Sequence, residues 1–466
     1  MDEPCRQREE AMTRRERSLD EIYADDAGRG DAVVFGREVD ASRRGFLGGA
    51  GLAAMGAATG MAIPFSANMP AGLIPAALAQ GAPAPAAAPA PAAATPKGPQ
   101  FLDYPGKDKG LVVLGDRPLV AETPESLMDD ATTPVGRFFV RNNGQMPEDK
   151  KQGDAWSFTV DGEVDKPLTL TLGELRSRFK PETLRMVMEC GGNGRSFFTP
   201  PGRGNQWTNG GAGCAEWTGA RLADVLRAAG LKPDAKFTGH FGADPHLSGD
   251  ATRQAISRGM PVAKALDRHT LIVWAMNGEP LPHVHGGPVR LIVPGWPGSL
   301  SSKWLTRVLV RKDPHDGAGM GGTSYRMPTV PIVPGSNADG RTNFADMTSM
   351  PTRSIISAPA NGARLAAGTR EVAVRGAAWG GEQHPTRVDV SVDFGQSWKR
   401  MQLAGRRNRY DWARWSGTVT LPGDGYFELW VRARDSAGKF QPHVAGNWNP
   451  QGYGANPFHR VAVLVG

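Results

Sequence analysis

The chain has 466 residues, 40% hydrophobic and 8% aromatic, enough for two or three domains that each bury a core. Its formal charge is +7, and no compact Lys/Arg run interleaved with aromatics occurs, which argues against nucleic acid as a partner. Three cysteines are too few for a disulfide framework, while 60 glycines and 38 prolines point to turn-rich β structure.

Residues 1–80 read as a targeting segment. Ser42-Arg43-Arg44-Gly45-Phe46-Leu47 is a twin-arginine signal, the mark of export in the folded state, and implies a periplasmic location. No charge follows until Lys97, the run Gly45 to Ile63 is weakly apolar, and Ala77-Leu78-Ala79 before Gln80 supplies a small-x-small cleavage site. Gly48, Gly49, Gly51, Gly56 and Gly60 make that run a poor membrane helix. Residues 1–44 carry nine basic and twelve acidic side chains, so their loss leaves 45 against 35, or +10. Cys5 is lost with them. Residues 81–99, rich in Ala and Pro, form an extended linker.

The folded part divides into residues 100–350 and 351–466. Trp156 to Val160 alternates as a half-buried strand, and Thr171-Leu172-Gly173-Glu174 has the spacing of a capping box. Leu222, Val225, Leu226 and Ala229 share one helical face that Gly230 terminates. Thr270 to Met276 is a strand ending at an Asn277-Gly278 turn, with further strands at Pro288 to Val293 and Trp304 to Val310. The first domain is therefore mixed α+β. After a loop-like stretch over 313–350, short alternating strands at Glu371 to Val374, Arg387 to Asp393, Tyr426 to Arg434 and Arg460 to Val465 predict a β-sandwich.

One segment stands out chemically: Glu189-Cys190-Gly191-Gly192-Asn193-Gly194-Arg195. A thiolate is a soft ligand for a transition metal, and a nearby cation favours its ionised form. A buried apolar cysteine is the commoner role of a lone thiol, but a glycine turn ending in arginine favours the ligand. No Lys-Ser/Thr follows the glycines and no Gly-x-Gly-x-x-Gly lies between strand and helix, so a nucleotide loop is excluded. His283 and His285 lack a third and fourth zinc ligand at sensible spacing. For Cys214 a structural role is expected.

The Cys190 segment, Phe138-Phe139-Val140-Arg141-Asn142-Asn143, Trp217-Thr218-Gly219-Ala220-Arg221-Leu222, His285-Gly286-Gly287-Pro288-Val289-Arg290, Lys303-Trp304-Leu305 and Phe458-His459-Arg460-Val461 occur in one order along the chain. In that order they resemble the sulfite oxidase family of molybdenum enzymes, and within it the sulfane dehydrogenase branch of bacterial sulfur oxidation. The resemblance implies an α+β molybdopterin domain followed by an all-β immunoglobulin-like sandwich that builds a homodimer. It also implies molybdenum bound by a pterin dithiolene and the Cys190 thiolate, and oxygen-atom transfer to sulfur.

By the same resemblance Arg141, Arg195 and Arg460 are anion-binding arginines, Tyr325 is an active-site phenol, and Trp207 lines the substrate pocket. Asn142, Asn143, Asp244, His285, Arg290 and Lys303 are the counterparts of cofactor contacts. Asn143 departs from the histidine common at that place. No Cys-x-x-Cys-His is present, so electrons are expected to leave to a separate c-type cytochrome subunit, and the sulfur to arrive on a carrier protein. A heterotetramer with the cytochrome is the alternative assembly. A free-sulfite dehydrogenase is the rival activity, and a non-catalytic periplasmic binding or adhesion protein the rival from another class.

Overall fold

The computed structural model describes residues 98–334, 343–446 and 448–466; the targeting segment and linker residues 81–97 lie outside the described residues. Within them the chain is mostly β. Three short helices accompany the strands: α1 (Leu172–Arg178), α2 (Leu222–Ala229) and α3 (Val262–Ala265). The mixed α+β expectation for the first domain thus reduces to a β framework with helical inserts.

Local chemistry sets these helices where the sequence placed them. Thr171 accepts from the Glu174 amide, and Glu174 accepts in return from the Thr171 amide, closing the capping box of α1. In α2, Leu222, Val225, Leu226 and Ala229 are all fully buried, and Gly230 ends the helix at φ 72°.

Two five-stranded sheets build the first domain. In one, Pro181–Glu189, Ala212–Arg221 and Leu271–Met276 run antiparallel, with Arg290–Ile292 and Glu279–Pro280 paired to the last. The Leu271–Met276 hairpin turns through Asn277 and Gly278, both at positive φ (55° and 84°), as a tight two-residue loop requires. In the other sheet, Ser157–Gly162 lies parallel to Leu305–Arg311, with Phe237–Gly242 and Ser257–Pro261 beyond. Phe158, Leu170, Leu222, Leu226, Ile272 and Val308 belong to the core that the sheets share with the helices. A small sheet of Val112–Asp116, Leu119–Glu122 and Val140–Arg141 carries the chain into this domain.

From Arg353 two sheets face one another. Arg353–Ala358, Glu371–Trp379 and Ala413–Thr420 lie in the first; Pro385–Ser391, Gly425–Asp435 and His459–Val465 lie in the second. Val374, Val388, Leu429, Val431, Val461 and Val463 fill the space between them. The first sheet is apolar on its other side as well. There Ile355, Ala377, Trp379 and Trp412 pack against Met128, Val187, Ala212 and Cys214 of the first domain. That second apolar face brings C-terminal side chains to the strand leading into Cys190. Cys214 is fully buried in this seam, its thiol 3.4 Å from Asp411, a structural role. Among the described residues no helix is long and apolar enough to cross a membrane.

Candidate active site

The strand Pro181–Glu189 delivers Cys190 to the wall of a partly open cavity. The Cys190 amide donates to Gly211 (2.8 Å) and the Asn193 amide returns to the Cys190 carbonyl (2.9 Å), so the chain reverses within one turn. The glycines have specific work here. A Cβ on Gly191 would press on the Tyr325 ring at 3.2 Å, and one on Gly192 would strike the Arg195 guanidinium at 2.5 Å.

Cys190 is a free, half-buried thiol. Among the described residues no group of three or more His, Cys, Asp or Glu converges as a metal site. His283 is engaged elsewhere, its Nε2 bonding the Pro147 carbonyl at 2.8 Å. A metal on Cys190 therefore needs its other ligands from a cofactor.

Three cations, Arg141, Arg290 and Lys303, line the same cavity, with Lys107 behind His285. Lys303 donates to Asn142 Oδ1 and to the Val284 carbonyl, both at 2.6 Å. Arg290 donates to the carbonyls of His285 and Ser301 at 2.7 Å each, while its Nε has no partner. Lys107 donates to the carbonyls of Val135 (2.6 Å) and Phe138 (2.5 Å) and lies 3.0 Å from His285 Nε2. Arg141, at the end of its strand, bonds the Asn142 carbonyl.

Burial holds Lys107, Arg290, Lys303 and His285 below their ordinary values. Lys107 is brought to about 7 and Arg290 to about 9, both by burial. Burial, then Arg290, push Lys303 well down, and burial, then Lys107 and Lys303, do the same to His285. Among the described residues Asp244 is the one carboxylate in the cavity wall, and burial raises its pKa. A buried set of cations with one reluctant carboxylate and an unpartnered guanidinium Nε suits an extended anion. Together with the Cys190 thiol in the same cavity, the donor set fits a pterin phosphate bound to a metal dithiolene.

Nine sequence-predicted residues meet in this wall: Arg141, Asn142, Asn143, Cys190, Asp244, His285, Arg290, Lys303 and Tyr325. Arg195 lies just behind it, buried, donating to the carbonyls of Gln451 (2.8 Å) and Asn205 (2.9 Å). Two further sequence-predicted residues lie outside this wall. Trp207 is fully buried and packs edge-on against Phe139 (5.9 Å), so it serves the core and not the cavity wall. Arg460 is exposed on the outer sheet, stacked over Trp430 at 4.2 Å and bonded to His443, far from this role.

Sequence reasoning missed Lys107, a loop lysine beside Asp108 and Lys109, and the residues that brace the cysteine. Glu189 pairs with Arg353 at 2.9 Å, and the Trp379 indole donates to it at 2.8 Å. Both partners come from the C-terminal domain. Tyr453 and Arg258, which flank Tyr325, were missed as well.

A fold of this kind around a lone cysteine and a cationic cradle defines a molybdopterin-dependent oxidoreductase. Residues 143–318 match the oxidoreductase molybdopterin binding domain, and residues 345–466 the Mo-co oxidoreductase dimerisation domain. The chain is 34% identical to sulfite oxidase of Gallus gallus over 372 residues, 77% of this chain and 79% of that one. It is 33% identical to the mitochondrial sulfite oxidase of Homo sapiens over 383 residues, 78% of this chain and 68% of that one. Its fold is similar to that of the sulfane dehydrogenase SoxCD from Paracoccus pantotrophus, with a TM-score of 0.62, 25% identity, and 84% of this chain and 96% of that one covered. The chain belongs to the sulfite oxidase family of molybdenum enzymes.

Proposed function

We propose that the chain is the molybdenum subunit of a periplasmic sulfane dehydrogenase. It oxidises sulfane sulfur held on a carrier protein's cysteine and passes electrons to a c-type cytochrome subunit. The observation that supports this reading is the structural likeness to the Paracoccus sulfane dehydrogenase, which covers 84% of this chain and 96% of that one at a TM-score of 0.62. The twin-arginine signal supports the compartment. The C-terminal pair of sheets, read as an immunoglobulin-like sandwich, supports a homodimer.

When bound, the molybdenum pterin supplies oxygen-atom transfer to sulfur and takes up the two electrons released. The chain's own groups prepare for this. Cys190 must give up its proton to serve as ligand. Arg290 and Lys303 neutralise the cofactor's anionic tail in a site where water cannot, with Lys107 behind His285 adding to the positive field. Arg141 draws a negatively charged sulfur group toward Cys190. The Tyr325 hydroxyl can hold or return a proton at a substrate oxygen. Phe139, Met188 and Trp304 in the same wall limit the entry of water.

A free-sulfite dehydrogenase is the second reading, favoured by the 34% identity to the Gallus enzyme. Sulfite-dependent reduction of cytochrome c by the molybdenum-loaded chain separates the two. Little reduction by sulfite, with turnover restored by a persulfide-bearing carrier, is the expected result. Rapid reduction by free sulfite alone overturns the preferred reading, and absence of molybdenum and pterin from purified protein would return it to a binding protein.

A further inference from the structure

Two arginines and two tyrosines form a continuous stack beside Cys190. Tyr325, from the cavity wall, lies against Tyr453 with ring centroids 4.8 Å apart and planes 16° from parallel. On the outer side of Tyr325 the Arg258 guanidinium sits 4.3 Å above the ring, and beyond Tyr453 the Arg195 guanidinium sits at 5.4 Å. Each face of the pair is thus closed by a cation, an arrangement that aromatic rings favour through their negative faces.

The stack is locked from both domains. Tyr325 holds a left-handed φ of 51°, uncommon for a bulky residue, which points to its position being over-determined by its surroundings. Arg258 is buried, bonded to the Gly319 carbonyl, and its Nε has no partner. Tyr453 comes from the last loop of the C-terminal domain. There the Gly454 amide donates to the Gly191 carbonyl (3.3 Å), one residue beyond the cysteine, and the Gln451 carbonyl receives Arg195.

Tyr453 has a polar end with no assigned use. Only 8% of the residue is exposed, and no described residue hydrogen-bonds its hydroxyl, yet that oxygen is not among the sealed polar atoms. Its ring lies between Tyr325 of the cavity wall and the Arg195 guanidinium, and its neighbour Gly454 is hydrogen-bonded to the residue after Cys190. A buried phenol with no hydrogen-bond partner among the described residues, stacked on a tyrosine of the cavity wall and capped by a guanidinium, has a donor free for an anion at that wall.

We propose that Tyr453 is a further substrate-contacting residue, donating its hydroxyl to the oxygens that the anionic sulfur group gains on oxidation beside Tyr325. The stack with Tyr325 sets the angle at which that hydroxyl is offered. The inference deepens the proposed function and rests on it for the substrate's anionic character. It assigns the C-terminal domain a direct part in specificity.

The test is Tyr453→Phe in the molybdenum-loaded protein, since phenylalanine keeps the ring and removes only the hydroxyl. Sulfate, the fully oxidised anion, is titrated by calorimetry, and KM and kcat are measured with the substrate that proves active. A lost hydrogen bond to a charged partner predicts sulfate binding and KM weakened roughly tenfold, with the melting temperature unchanged. Unchanged sulfate affinity overturns the proposal, as does an altered melting temperature accompanied by normal affinity, the result expected of a packing residue. Tyr453→Leu, which also abolishes the stack, should weaken sulfate at least as much. Failure of every sulfur substrate to turn over would defeat the proposed function, while the calorimetry still decides the role of Tyr453.

Discussion

Arg353, in the first strand of the C-terminal domain, forms a buried ion pair at 2.9 Å with Glu189, the residue before Cys190. Neither side chain reaches solvent, at 0% and 2% exposure. The same guanidinium donates to the carbonyls of Asn193 (3.0 Å) and Ala455 and to Asn209 (3.2 Å), while Asn193 donates to Glu189 (2.9 Å). The cysteine turn is thus held on its inner side by a residue 164 positions further on. Such a pair need not add stability over an apolar substitute, but it fixes one geometry.

Removing one partner leaves the other charged and unpaired in a dry site. Arg353→Met should destabilise the protein by roughly 3–5 kcal/mol. It should also release the Cys190 turn, so molybdenum content should fall in the fraction that still folds. Chemical denaturation and metal analysis check the two effects, and a variant with normal stability and full metal would refute the bracing role.

Cys190→Ser tests the ligand itself. A serine hydroxyl remains protonated where the thiol ionises, so turnover should be abolished while the fold, and with it the circular dichroism, is kept. Full activity in this variant would sink the assignment. Metal analysis shows whether the pterin contacts alone retain the cofactor.

The cationic cradle makes a separate prediction. Lys303 is buried with Arg290, Arg141 and Lys107 around it, and an anionic cofactor is what offsets that repulsion. Lys303→Met should therefore shrink the gain in melting temperature between cofactor-free and loaded protein, because binding to the folded state alone is what produces the gain. An undiminished gain would show that Asn142 and the Val284 carbonyl satisfy the ammonium without help from the cofactor.

Much of this arrangement was legible from residue order. Strands and helices with clean periodicity, such as α2 with its Leu222, Val225, Leu226 face, follow from burial of one side. The strand Ala212–Arg221 was hidden because its glycines serve tertiary needs. A Cβ on Gly213 would meet the Phe138 ring at 2.6 Å, and one on Gly219 the Ile272 carbonyl at 2.1 Å. Arg460 could have been placed correctly from alternation. Val461, Val463 and Val465 face the core of their sheet, so Arg460 must face away. Resemblance of a short motif outweighed that simpler rule. Tyr453 and Lys107 carried no local signal, since their roles arise only where separate loops meet.

Behind the cavity, His240 gives a prediction about acid. It is fully buried, its Nε2 lies 2.9 Å from the Thr238 hydroxyl, and its Nδ1 has no partner. Burial, with smaller contributions from His315 and Arg258, lowers it from 6.5 to about 3. The folded protein therefore keeps this imidazole neutral over a range where the unfolded chain takes up a proton. Between pH 6.5 and about 3 the unfolded state binds more protons, so stability is present above 6.5 and is lost as the pH falls. His315, lowered to about 4 by burial and by Arg311, acts in the same direction. Replacing His240 with Gln removes its share of the dependence, on the order of a few kcal/mol across the full range. Denaturation midpoints at pH 7 and pH 4 should differ less in the variant than in the wild type. Equal differences in the two proteins would mean that His240 gains its proton without unfolding, and that burial does not govern its charge.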